Sequence, residues 1–204
     1  MSPRVNSLTP EYVDSGNELT KWMKLENSVK LTVDDAASLA SVSDASVDAA
    51  YMLHVGMNIA DKGAMARAIG RVLKPGGKFG VFDMMKGPGG GELIYPLPPA
   101  GTAANAAFGT PDDYKRAFSA AGFELLEEDL TFDCVAALEG MMAKMKAYVE
   151  ANGSPPPLGL FVVMGADFKV KMANTLECFK TGRMQGGQLV WQKKQTCMMD
   201  CNVS

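Results

Sequence analysis

The chain contains one histidine, His54, closing an apolar run of strand length that begins at Val47. An imidazole in that place can act as a base, orient a substrate or pack into the interior. Two carboxylates occupy equivalent places. Asp35, in the pair Asp34-Asp35, follows the apolar run Ser28 to Val33, and Asp83 follows Lys78 to Phe82. Asp83 reads as a substrate contact or as a turn former, and Tyr95, just before the run Pro96 to Pro99, as a wall of an acceptor pocket or as loop packing. The glycine run Gly87 to Gly91 lacks a following GK[ST] and does not read as a phosphate cradle. Cys134, Cys178, Cys197 and Cys201 are too scattered for a disulfide framework and lack the partners of a zinc site, so the expectation is free thiols and no metal.

The elements that position these groups follow from apolar spacing. Ala64, Met65, Ala68, Ile69, Val72 and Leu73 recur at helical intervals between the two apolar runs, with Arg67 and Arg71 on the other face. Asp61 is placed to cap that helix, and Lys74-Pro75-Gly76-Gly77 to stop it. Strand, helix and strand in this order make a right-handed crossover between parallel strands, whose carboxyl ends then share one edge. Ligands of open α/β sheets bind at that edge. The segments to suspect are therefore 54–59 and 83–91.

Before this unit, a strand is predicted over 4–8 and a helix over 10–24, with Thr9 as cap, Pro10 first, and Val13, Leu19, Trp22 and Met23 on one buried side. After it come a loop over 84–110, a helix over 111–121 capped by Thr110, a strand over 123–131, two helices over 133–151 and 158–181, and a last strand over 187–194. The tail 195–204 resembles no packed element and is expected to be disordered. At 204 residues, 47% apolar, one core suffices. A net charge of −3 argues against nucleic acid, and no apolar run reaches the roughly 18 residues of a membrane span. No apolar signal core opens the sequence, and the expected compartment is cytoplasmic.

Four pieces in order, Leu8 to Val13, Asp35-Ala36, Leu53 to Ile59 and Arg71 to Gly77, then Tyr114 to Phe123 ending in Ala121-Gly122-Phe123, resemble the Rossmann-like domain of class I S-adenosylmethionine-dependent methyltransferases. The resemblance extends to about Lys194. It implies an α/β fold with a mostly parallel sheet flanked by helices, a helical insertion (133–181) before the last strand, S-adenosylmethionine as cofactor and a small molecule as methyl acceptor. It also implies that Asp35 holds the adenine amino group, that Ala36 offers its backbone amide to the ring, that Leu8 and Thr9 flank the adenosine, and that Leu53 and His54 lie beside the sulfonium. A sulfonium methyl is already electrophilic, so alignment in a dry site supplies much of the rate and few catalytic side chains are needed.

The sequence departs from that family in two places. Members begin with a strand and a glycine-rich turn around the methionine portion of the cofactor, and no GxGxG precedes Ser28. The ribose-binding carboxylate falls at Ser7, a loss of about 2 to 3 kcal/mol, or roughly 30- to 150-fold in affinity. The expectation is an N-terminally truncated or diverged domain over 1–194. The alternatives are a catalytically silent methyltransferase-like binding or regulatory protein, in a homo- or hetero-oligomer, and a non-functional fragment.

Overall fold

The computed structural model describes residues 4–195. Cys197, Cys201 and all but the first residue of the expected tail lie outside them. The strands are β1 (Arg4–Ser7), β2 (Lys30–Val33), β3 (Val47–Leu53), β4 (Leu73–Lys86), β5 (Phe123–Asp129) and β6 (Met184–Lys193). The helices are α1 (Pro10–Trp22), α2 (Lys62–Val72), α3 (Pro111–Ala120), α4 (Cys134–Asn152), α5 (Leu160–Met164) and α6 (Phe168–Lys180). The strands form two sheets, a parallel pair β1-β2 and a four-stranded sheet in the order β3-β4-β6-β5. β3 and β4 are parallel, and β6 runs antiparallel to both β4 and β5.

α2 forms as its spacing dictates. Asp61 accepts the Ala64 N–H at 2.8 Å, and Met65, Ala68, Ile69 and Val72 are buried. Met65 and Ile69 join Phe79, Val81, Leu189, Trp191 and the α3 residues Tyr114 and Phe118 in the main core. Phe118 stacks on both Phe79 and Trp191, at centroid distances of 4.9 and 4.3 Å. α3 opens with a reciprocal capping box between Thr110 and Asp113.

Several sequence expectations are corrected. Lys74 to Gly77 follow the end of α2 at Val72 but form an excursion inside β4, because the ladder passes from Val47–Leu73 to Ala49–Lys78 with four residues on the β4 side opposite one on β3. Gly77 is required there, since a Cβ would lie 2.9 Å from the Lys74 carbonyl and 3.0 Å from that of Asp48. β4 runs on to Lys86 through pairing of Met84 to Lys86 with Met184 to Gly186, which shortens the expected loop. Thr9 stands at the N-cap of α1 without a side-chain capping bond. Of the apolar side assigned to that helix only Val13 is buried, while Leu19, Trp22 and Met23 are exposed. A two-stranded sheet is too narrow to cover a whole helical stripe. The second insertion helix breaks into α5, a 3-10 turn and α6, where Gly165 adopts φ 71°.

One face of the larger sheet is bare around β3. Tyr51 is 77% and Leu53 56% exposed, and a Cβ placed on Gly80, the ladder neighbour of Tyr51, would meet nothing within 4 Å. The outer edge of β3 has no strand partner among the described residues. Parallel strands are ordinarily buried on both faces.

Candidate active site

Two rims at carboxyl ends of parallel strands gather the residues singled out from the sequence. At the end of β1-β2, the Asp34 N–H donates to the Ser7 carbonyl at 3.0 Å, so Ser7, Leu8 and Thr9 lie beside Asp34, Asp35 and Ala36. The Asp34 carboxylate accepts from the backbone N–H groups of Asp35, Ala40 and Ser41 and from the Ser41 hydroxyl at 2.6 Å. Burial pushes this carboxyl up, but the Ser41 hydroxyl and the backbone donors prevail and hold it below the usual carboxylate value. Asp35 is exposed and accepts the Ala37 N–H through Oδ1 at 2.8 Å. Ser7 Oγ accepts the Thr9 N–H at 3.2 Å. Leu8 is 66% exposed.

The loop that follows Asp35 is fastened to α2 by Arg71. Its guanidinium donates to the carbonyls of Ser38, Leu39 and Val42 and pairs with Asp44. The Arg71 and Val72 carbonyls accept the N–H groups of Ala45 and Ser46.

At the end of β3-β4, Leu53 and His54 are exposed, and the His54 N–H donates to the Phe82 carbonyl at 2.9 Å. His54 has φ 54°, and its ring meets the edge of Phe82 at 5.2 Å; Phe82 in turn meets Phe132 at 5.3 Å. Asp83, by contrast, is fully buried. Its Oδ2 accepts the Met57 N–H at 2.7 Å and the Tyr114 hydroxyl at 2.8 Å, and its Oδ1 the Met84 N–H at 3.0 Å. Burial pushes the carboxyl up, against these three donors and the nearby His54. Of the two readings of Asp83, this placement is that of a group fixing the turn, with no surface for an acceptor.

Lys62 closes the same turn from the other side. Its ammonium donates to the carbonyls of Gly56, Ile59 and Ala107 and lies 5.2 Å from the centre of the Tyr114 ring. Burial lowers its pKa, while the charges of Asp83 and Asp113 act to raise it. Tyr95 is half-buried against a second apolar cluster of Met57, Leu93, Leu97, Phe108, Cys178 and Met184. The loop carrying it is strapped down, with Gly87 and Gly89 donating to Arg183 and Gly182 and Pro96 accepting from Asn174. Gly87 serves close backbone approach, as a Cβ there would lie 2.2 Å from the Gly182 carbonyl.

Lys62, Tyr114, Arg71 and Asp34 carry the geometry of the rims without standing out in the sequence as site residues. Lys62 had a signal: a lysine in the first helical turn sits against the positive end of the dipole and needs other acceptors. Tyr114 lies on the apolar face of α3, where a hydroxyl must find a buried partner.

Residues 6–81, which reach from within β1 to within β4, match the family model described as a methyltransferase domain. Over that stretch the chain is similar to methyltransferase domains. Its fold is that of the class I, S-adenosylmethionine-dependent enzymes. A protein from Galdieria sulphuraria described as a sarcosine dimethylglycine methyltransferase superposes with a TM-score of 0.75 at 18% identity, over 95% of this chain and 70% of that one. The geranyl diphosphate C-methyltransferase of Streptomyces coelicolor A3(2), solved with S-adenosyl-L-homocysteine, gives 0.70 at 15%, over 93% and 63%. The [4+2]-cyclase SpnF gives 0.68 at 20%, over 96% and 67%. The chain thus spans about two thirds of the length of these structures. No curated protein matches it in sequence. Among the described residues no helix is long and apolar enough to cross a membrane.

Proposed function

We propose that this domain transfers a methyl group from S-adenosylmethionine to a small-molecule acceptor. The observation that carries the reading is the family match over residues 6–81, with exposed Asp35 at one carboxyl rim and exposed His54 at the other. Asp35 would hold the adenine amino group and the Ala36 amide the ring, with Leu8 and Thr9 flanking the adenosine. Leu53 and His54 would face the sulfonium and the acceptor, and Tyr95 a wall of the acceptor site. The cofactor supplies an electrophilic methyl group. The protein then has to hold donor and acceptor in line and, for a protonated acceptor, take a proton at the imidazole of His54.

The residues present fit the adenine half of the cofactor better than the rest. Ser7 Oγ is engaged by its own chain and is neutral, so it does not replace a ribose-binding carboxylate. Calorimetric titration with S-adenosylmethionine and S-adenosylhomocysteine tests the reading. Heat is expected, weakened about 10- to 30-fold by Asp35→Asn. A folded protein giving no heat at millimolar ligand removes it.

The bare face around Tyr51 and Leu53 and the edge of β3, which has no strand partner among the described residues, favour a second reading, a binding or regulatory protein acting with a second copy of itself. Light scattering decides this one: a dimer that Tyr51→Glu dissociates, together with silence toward the cofactor, replaces the first reading.

A further inference from the structure

We propose that Asp83 and Tyr114 are positioning residues, a buried bolt that fixes the turn carrying His54 and so sets how the imidazole meets the methyl acceptor. The proposal rests on the methyl-transfer reading for its chemistry, but its geometry stands apart from it. Residues 54–57 are held at two points on β4. The His54 N–H is bonded to the Phe82 carbonyl, and the Met57 N–H to the carboxylate of the next residue, Asp83. Tyr114, from α3, reaches the same oxygen that Met57 does. Three donors meet two oxygens, and both oxygens accept. An asparagine cannot reproduce this, because its NH2 group would face either the Met84 N–H or the Met57 and Tyr114 donors.

The turn is shaped to the bolt. A Cβ on Gly56 would lie 2.7 Å from both Asp83 Oδ2 and the Tyr114 hydroxyl, so only glycine lets the backbone come this close. Lys62 satisfies the Gly56 and Ile59 carbonyls that the turn directs inward. Asp83 and Tyr114 are both fully buried, whereas His54 is exposed. A rim that needed only stability could use apolar residues here, since a buried carboxylate without an ion-pair partner costs desolvation. What the carboxylate adds is direction: it fixes where residue 57, and through it residue 54, must lie.

The only histidine of the chain gives a direct reporter. In a 1H–13C spectrum the Cε1–H signal of His54 needs no assignment, and the neighbouring Phe82 ring makes it sensitive to small movements. In Tyr114→Phe and Asp83→Asn the signal is expected to move and broaden. A control substitution in the core, Trp191→Phe, is expected to destabilise the fold and leave it in place. In turnover assays both bolt variants are expected to lose about tenfold or more in kcat, with affinity for S-adenosylmethionine within about twofold of the parent. Tyr114→Phe removes a single oxygen and decides the matter should Asp83→Asn fail to fold. A His54 signal unmoved in Tyr114→Phe, or moved equally by Trp191→Phe, overturns the proposal. Absence of any cofactor affinity in the parent chain removes the methyl-transfer reading instead, and the His54 signal still decides whether the bolt positions it.

Discussion

The two rims are built in opposite ways. The rim at β1-β2 is an exposed loop tied by surface side chains: Asp34 gathers the N–H groups of residues 35, 40 and 41, and Arg71 gathers the carbonyls of residues 38, 39 and 42. The rim at β3-β4 is tied from within, by the buried groups of Asp83, Tyr114 and Lys62. The first reaches the interior only through Leu39 and Val42 of its loop and keeps the backbone around Asp35 at the surface. The second spends none of its freedom on solvent and presents one exposed imidazole from a rigid base. In a reaction that depends on alignment, stiffness at the acceptor side and adaptability at the cofactor side are a workable division.

The largest effect that separates the rims is expected from Lys62→Met. It takes the ammonium donor from the carbonyls of Gly56, Ile59 and Ala107 in a buried place and removes the positive charge that interacts with Asp83. A loss of about 3 kcal/mol in urea unfolding is expected. Arg71→Ala removes as many carbonyl bonds at the other rim, but its side chain is 35% exposed and water replaces much of what is lost. About 1 kcal/mol is expected there, with amide exchange over residues 38–46 accelerated roughly tenfold. Equal costs at both positions would erase the contrast.

Acidity separates the rims by sign. Asp34 is held below its ordinary value of 3.8, so its contribution to stability is present above that pH and is lost as pH falls through its folded value. Asp83 is raised above 3.8, so the protein gains from its protonation: that contribution is full below 3.8 and fades as pH rises through the folded value. In urea titrations between pH 2 and 7, Asp34→Asn is expected to flatten the acid loss, and Asp83→Asn to remove the opposing slope while lowering stability throughout. Slopes of the same sign for both variants would contradict the placement of one of the two carboxyls.

How much of this the sequence disclosed follows the range of the interactions. The α2 crossover was legible because its spacing, cap and flanking apolar runs are local. The length of β4 was hidden because Met84 to Lys86 become strand only by pairing with residues about a hundred positions away. Exposed His54 and Asp35 could be found as strand-end residues. The alternatives for Asp83 could not be separated, because its partners Met57 and Tyr114 come from two distant segments. Periodicity identified the apolar stripe of α1 but says nothing about whether anything covers it.

That stripe carries the smallest expected effect and tests the first rim from below. Leu19, Trp22 and Met23 are 51%, 76% and 66% exposed, and the interior side of α1 is reduced to Val13 and Thr20, with Gly16 against Leu31. In an isolated chain Trp22→Ser therefore removes little buried area, and its unfolding free energy should stay within about 0.5 kcal/mol of the parent. The measurement has to be made at two protein concentrations. A loss several times larger that grows with concentration means that another copy covers the stripe in solution. The β1-β2 rim would then draw from a neighbour the support that the β3-β4 rim draws from its own core, and the second reading of the function would gain over the first.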